Sequence, residues 1–85
     1  MQPRDGKTYI CYESDKTFVF QVSANKAHFT YYTFQADYSV IPLGRGVYIL
    51  HNINDEYDHY HVVVLDGGNT LRVSSAGETE VFTVK

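Results

Sequence analysis

Apolar residues along this chain recur every second position. Phe18, Phe20 and Val22 fall on one face, Ala27, Phe29 and Tyr31 on another, and Val62 and Val64 on a third. Residues two apart share a face only in an extended strand. No segment carries the 3.6-residue period of a helix. Thr, Val and Ile are abundant, Leu and Ala are few, and turn residues punctuate the chain at short intervals. The pattern predicts strands at about 7–13, 17–23, 27–34, 37–42, 46–53, 59–66, 69–75 and 79–84.

Turn chemistry supplies the pairing. Asp66-Gly67-Gly68-Asn69 suits a two-residue hairpin, because the favoured turns need a positive φ that glycine reaches without strain. Centred on Gly67 and Gly68, it sets Leu65 against Thr70, Val64 against Leu71, Val63 against Arg72, Val62 against Val73 and His61 against Ser74. For the preceding hairpin, pairing His51 with His61 places Leu50 opposite Val62 and Tyr48 opposite Val64. A slip of one residue would mix the two faces. A turn at Ala24-Asn25 sets Phe18, Phe20 and Val22 against Tyr31, Phe29 and Ala27. Pro42-Leu43-Gly44-Arg45-Gly46 reads as a sharper break where the chain leaves one sheet for another.

The fold class that follows is all-β: a small antiparallel barrel or compact two-sheet sandwich of seven or eight short meander strands, with little or no helix. Closure is the better solution, because it removes the edges that so strand-rich a chain would present for aggregation. Residues 1–85 form one domain, with 1–6 a flexible amino-terminal arm.

Composition narrows the class further. At 15% aromatic and 20% charged residues the chain is too aromatic for a disordered tail. Eight Tyr and five Phe supply core that 85 residues alone would not. Cys11 is the single cysteine, so no disulfide forms within the chain, which points to a cytoplasmic location. The first seven residues lack the apolar stretch of a secretory signal, and Val62-Val63-Val64-Leu65 is too short to span a bilayer. No membrane role is expected.

The net charge is −3, and no two of the seven Lys and Arg are adjacent. A dense cationic stripe, the requirement for non-specific nucleic-acid binding, is missing. Mimicry of nucleic acid fares no better, since ten Asp and Glu is an ordinary density. Only Asp55, Glu56 and Asp58 cluster, as a solvated turn would.

Three groups of residues could carry chemistry. His59 and His61 share a strand face, and the expected register puts His51 beside His61; three such imidazoles could hold zinc with an open fourth position. Surface polarity at a sheet end is the plainer reading. The same face carries Val47, Ile49, Val63 and Leu65 around Arg72, and a sheet apolar on both faces must cover the second one. Tyr31-Tyr32 with Phe29 and Phe34 could stack bases, although core packing explains half of them. Gly44-Arg45-Gly46 reads as a turn and Cys11 as a small buried hydrophobe. No catalytic triad, paired carboxylate or nucleotide loop emerges, so no enzyme activity and no cofactor are expected.

The sequence therefore favours a small non-catalytic binding protein, an inhibitor or accessory factor that acts by protein–protein contact, with self-association as a homodimer one form of it. The expected partner surface combines Tyr32, His51, Asp55, Glu56, Tyr57, Asp58, His59, His61 and Arg72. A small-molecule or metal-binding barrel using His51, His59 and His61 is the alternative. Single-stranded nucleic-acid binding through aromatics comes third.

Overall fold

The computed structural model describes residues 1–85 and places eight strands in chain order around a closed antiparallel barrel. They are β1 (Thr8–Cys11), β2 (Lys16–Gln21), β3 (Lys26–Tyr31), β4 (Phe34–Gly44), β5 (Val47–Asn52), β6 (His59–Leu65), β7 (Thr70–Ser75) and β8 (Glu78–Val84). Pairing of Tyr9 with Val84 and Ile10 with Thr83 joins the last strand to the first. The sandwich alternative falls away, and no strand edge is left unpaired. Helix is limited to single 3-10 turns at Val22–Ala24 and Asp66–Gly68, so no helix is long and apolar enough to cross a membrane.

Alternation decides what enters the barrel. Tyr9, Phe18, Phe20, Phe29, Tyr38 and Phe82 join Cys11, Ala27, Leu50, Val62, Val64, Leu71 and Val73 in one buried cluster. Phe18 is its hub: ring centroids of Phe29, Phe82, Tyr60, Phe20 and Tyr38 lie 5.0, 5.2, 5.8, 6.2 and 6.3 Å away. Several of these pairs are edge-on or tilted, the arrangement ring quadrupoles prefer. An interior of this kind is packed solid, as expected when eight short strands close on one another.

Registers follow the expected faces but not always the expected partners. β6 and β7 pair as read, from Leu65–Thr70 to His61–Ser74, around glycines at φ +62° and +95°. In the β5–β6 hairpin His51 faces His59, Leu50 faces Tyr60 and Tyr48 faces Val62, two residues from the expected register. The β2–β3 pair shows the same shift, with Phe18 opposite Phe29 and Phe20 opposite Ala27. A shift of two leaves every side chain on its face, so hydrophobic pattern cannot detect it. Loop geometry decides: the Asp58 carbonyl accepts from the Asn52 amide at 2.9 Å and clips the β5–β6 loop short.

Two further expectations are corrected. Pro42–Gly46 is a bulged hairpin within the barrel, with the register shifting between Pro42 and Gly44, not a passage to a second sheet. The expected strand 27–34 ends early, because Tyr31 pairs with Phe34 across a tight turn at Tyr32-Thr33.

Loops 12–15, 32–33, 53–58 and 76–77 gather at one end of the barrel, here termed the loop end, as an up-and-down meander requires. The opposite end is crossed by residues 1–6, expected as a flexible arm. Pro3 is buried there, the Arg4 amide donates to Tyr9 Oη at 2.7 Å, and Tyr9 Oη donates to the Gly68 carbonyl. Tyr48 Oη reaches the Met1 carbonyl at 2.8 Å, and Asp5 Oδ1 accepts from the Val22 amide at 2.8 Å. These bonds satisfy two tyrosine hydroxyls whose rings face inward, which is why the segment lies against the barrel.

Candidate functional site

At the loop end the inward-facing rows finish in polar groups. Tyr38 Oη donates to Asp58 Oδ2 at 2.5 Å, and Asn52 Nδ2 donates to the same oxygen at 2.9 Å. Asn52 Oδ1 in turn accepts from the Asn54 amide at 2.8 Å. Burial drives the Tyr38 phenol far above its ordinary value, and the hydrogen bond to Asp58 adds to the shift. Burial also raises Tyr60, with the Asp58 carboxylate contributing. Asp58, expected on the partner surface, is instead a structural acceptor that closes this end of the core.

Across the mouth Lys16 Nζ meets Glu80 Oε1 at 2.8 Å and lies 5.3 Å from the centroid of the Tyr31 ring. The hydrogen bond to Glu80 raises the Lys16 amine. Burial would raise Glu80, but the Lys16 ammonium together with the neighbouring hydrogen-bond donors outweighs it and holds the carboxyl below its ordinary value. Cys11, buried as expected, has its Sγ 3.6 Å from Glu80 Oε2.

The three histidines share one outer face without forming a ligand set. His51, His59 and His61 all project outward, with His59 and His61 ring centroids 6.4 Å apart and His51 Nε2 bonded to the Glu56 carbonyl at 3.1 Å. No group of three His, Cys, Asp or Glu is arranged to hold a metal ion. The two-residue register shift changes only which histidine of β6 stands opposite His51: His59 does, and His61 faces Ile49. Ser39, His51 and residues 52–57 line a shallow depression beside the acidic loop.

The outer wall carries an apolar row. Val47, Val63, Arg72 and Val81 stand opposite one another across β5, β6, β7 and β8. Ile41 flanks Ile49 on the next row, and Leu43 and Leu65 continue the patch. Ile41, Leu43 and Val81 are 45%, 59% and 54% exposed. Arg72 is exposed at the centre without a carboxylate partner, as the one Lys or Arg ion pair of the fold is Lys16–Glu80.

A second feature was invisible in the linear chain. The β1–β2 loop carries Glu13 and Asp15, the β5–β6 loop Asp55, Glu56 and Asp58, and β8 opens with Glu78 and Glu80, so seven of the ten acids stand at the loop end. Lys16 is the one cation there; Arg4, Lys7, Lys26, Arg45 and Lys85 belong to the other end. Tyr12, Tyr32 and Tyr57 project from three of the loops at 70%, 75% and 84% exposure. Tyr32 and Tyr57 belong to the surface expected for a partner, and Tyr31 to the base-stacking candidates; Tyr12, Lys16 and Glu80 were not singled out. Summing charge over alternate loops of the meander is the signal that finds Lys16 and Glu80.

Compared with protein-family models, curated proteins and solved structures, the chain matches none.

Proposed function

We propose that this chain is a small non-catalytic binding protein, an inhibitor or accessory factor, that docks the outer face of β4–β8 against another protein. The carrying observation is the apolar row Val47–Val63–Arg72–Val81 with Ile41, Leu43 and Ile49 beside it. A barrel needs one apolar face, and here the ring-filled interior already supplies it. The second apolar face is therefore surplus to folding, and a contiguous patch of this kind marks a contact surface. A standard interface takes about 800 Å² from each partner, roughly a seventh of the 5318 Å² this chain exposes. Arg72 suits such a surface, because a guanidinium joins broad contact area to directional donors. The metal alternative has less support, because no group of three His, Cys, Asp or Glu is arranged to hold an ion.

The test pairs Ile49→Lys with Val63→Lys and compares affinity capture from the source cells with that of the wild type, alongside sedimentation of each protein alone. The double variant keeps its melting temperature and loses the recovered partner or the self-association. Recovery of the same proteins by both forms, with both monomeric, removes the reading.

A further inference from the structure

We infer that the loop end of the barrel is a second docking surface, separate from the outer face, and that its occupant is a basic, arginine-bearing segment of a partner protein. Three tyrosines at the tips of three loops expose large rings to water, at 70%, 75% and 84% for Tyr12, Tyr32 and Tyr57. Folding gains nothing from leaving them there, whereas tyrosine at an interface offers a flat apolar face and a polar tip. Around the rings stand seven of the ten acids of the chain, with Lys16 the one cation among them. Carboxylates alone attract any cation, and rings alone attract any apolar group. Together they select the guanidinium, which stacks on an aromatic face while its fork of donors engages a carboxylate.

The end already recognises its own cation in this way. Lys16 Nζ sits 5.3 Å from the Tyr31 ring centroid with Glu80 Oε1 at 2.8 Å. The exposed Tyr32 ring packs on Tyr31 at 4.6 Å between centroids, so the aromatic surface that holds Lys16 continues out into solvent. With five of the seven cations at the far end, the barrel is electrically polarised along its axis. That field turns an approaching basic segment toward the loops. A second copy could offer its basic end instead, but such a head-to-tail contact would build rings or chains of copies, which the salt-dependent oligomerisation measured below would reveal.

Fluorescence anisotropy of a labelled nona-arginine peptide, titrated with the full chain at low and moderate salt, tests the inference. Binding is expected, weakening steeply as salt rises. The triple change Tyr12→Ala, Tyr32→Ala and Tyr57→Ala weakens it about tenfold or more, while the corresponding Phe triple stays within about threefold of wild type. Neutralising Glu13→Gln, Glu56→Gln and Glu78→Gln weakens binding and flattens its salt dependence. Asp66→Asn at the far end and Ile49→Ser with Val63→Ser on the outer face leave it unchanged, and thermal melts confirm each fold. Absence of binding, equal affinity for nona-lysine, indifference to the Tyr→Ala triple, or salt-sensitive oligomers of the chain in place of peptide binding would each overturn the inference. None of these results touches the outer-face reading, whose own variants are read separately.

Discussion

Tyr38 and Asp58, twenty residues apart in sequence, share a hydrogen bond of 2.5 Å that closes the loop end of the core. The same Asp58 oxygen holds Asn52 at 2.9 Å, so one carboxylate satisfies two buried donors. Removing it leaves both unpaired, at about 1–3 kcal/mol for each orphaned group. Asp58→Ala is therefore expected to lose about 2–4 kcal/mol in urea denaturation. Tyr38→Phe, which removes one donor and keeps the ring, loses about half as much. Equal midpoints for Asp58→Ala and wild type would show that the network contributes nothing.

Alkali acts on the same rings. Burial raises Tyr9, Tyr38 and Tyr60, whereas an unfolded phenol ionises near pH 10. A folded value above the unfolded one gives stability that is intact below about pH 10 and is lost as pH rises toward the folded value. The last phenols to ionise, followed by tyrosinate absorbance, are thus expected to do so together with loss of the β-sheet circular dichroism. Complete ionisation with the sheet signal intact would contradict this.

Lys16 and Glu80 are partly exposed at 26% and 31%, and their 2.8 Å ion pair is correspondingly screened. Glu80→Gln is expected to cost about 0.5–1 kcal/mol at neutral pH. The sign with pH is definite: a lowered carboxyl stabilises above its unfolded value of about 4.3, and the contribution fades as pH falls through the folded value. Stability curves of variant and wild type should therefore converge in acid. A gap that persists there would mean that packing, not charge, is lost.

What the chain discloses in advance depends on which physical quantity is asked for. Faces are legible, because the pleat has a period of two; Phe18, Phe20, Val62 and Leu71 are all buried as read. Partners across a strand pair are less so, because His51 opposite His61 and His51 opposite His59 put the same side chains inside. The choice rests on Asn52 and Asp58 clipping the loop, a contact between polar residues that hydrophobic patterning ignores. Gathering charge at one end is a property of alternate loops. Glu13 and Glu56 lie far apart in sequence and belong to the same end only once the strands run up and down. Asp58 shows the reverse: a residue read as solvated turn is half-buried and holds two donors.

The turn between β6 and β7 tests the seating of the amino-terminal residues. A Cβ on Gly68, at φ +95°, would stand 3.1 Å from Arg4 Cγ and 3.2 Å from the Gln2 carbonyl. A non-glycine residue in the left-handed region costs about 1–2 kcal/mol before that crowding is counted. Gly68→Ala is expected to exceed this and to speed hydrogen exchange in residues 2–5. Gly67→Asn, at φ +62° with open space around it, should stay within about 1 kcal/mol of wild type. Equal effects of the two changes would mean that Arg4 and Gln2 do not rest against Gly68.

Inner and outer faces of the barrel wall make opposite demands on a substitution, and two residues separate them. Phe18 is fully buried and touches five other rings, so Phe18→Ala opens a cavity worth about 3–5 kcal/mol. A domain of this size is stable by roughly 0.05–0.15 kcal/mol per residue, so that loss removes much of the whole. Val63 points the other way, half-buried beside Arg72, and Lys there keeps its stem on the wall with its ammonium in water. Val63→Lys is expected to stay within about 1 kcal/mol of wild type in denaturation while disrupting any docking on the outer face. Destabilisation by Val63→Lys as large as that of Phe18→Ala would mean that the outer valines are already covered within the fold, and the docking reading would lose its basis.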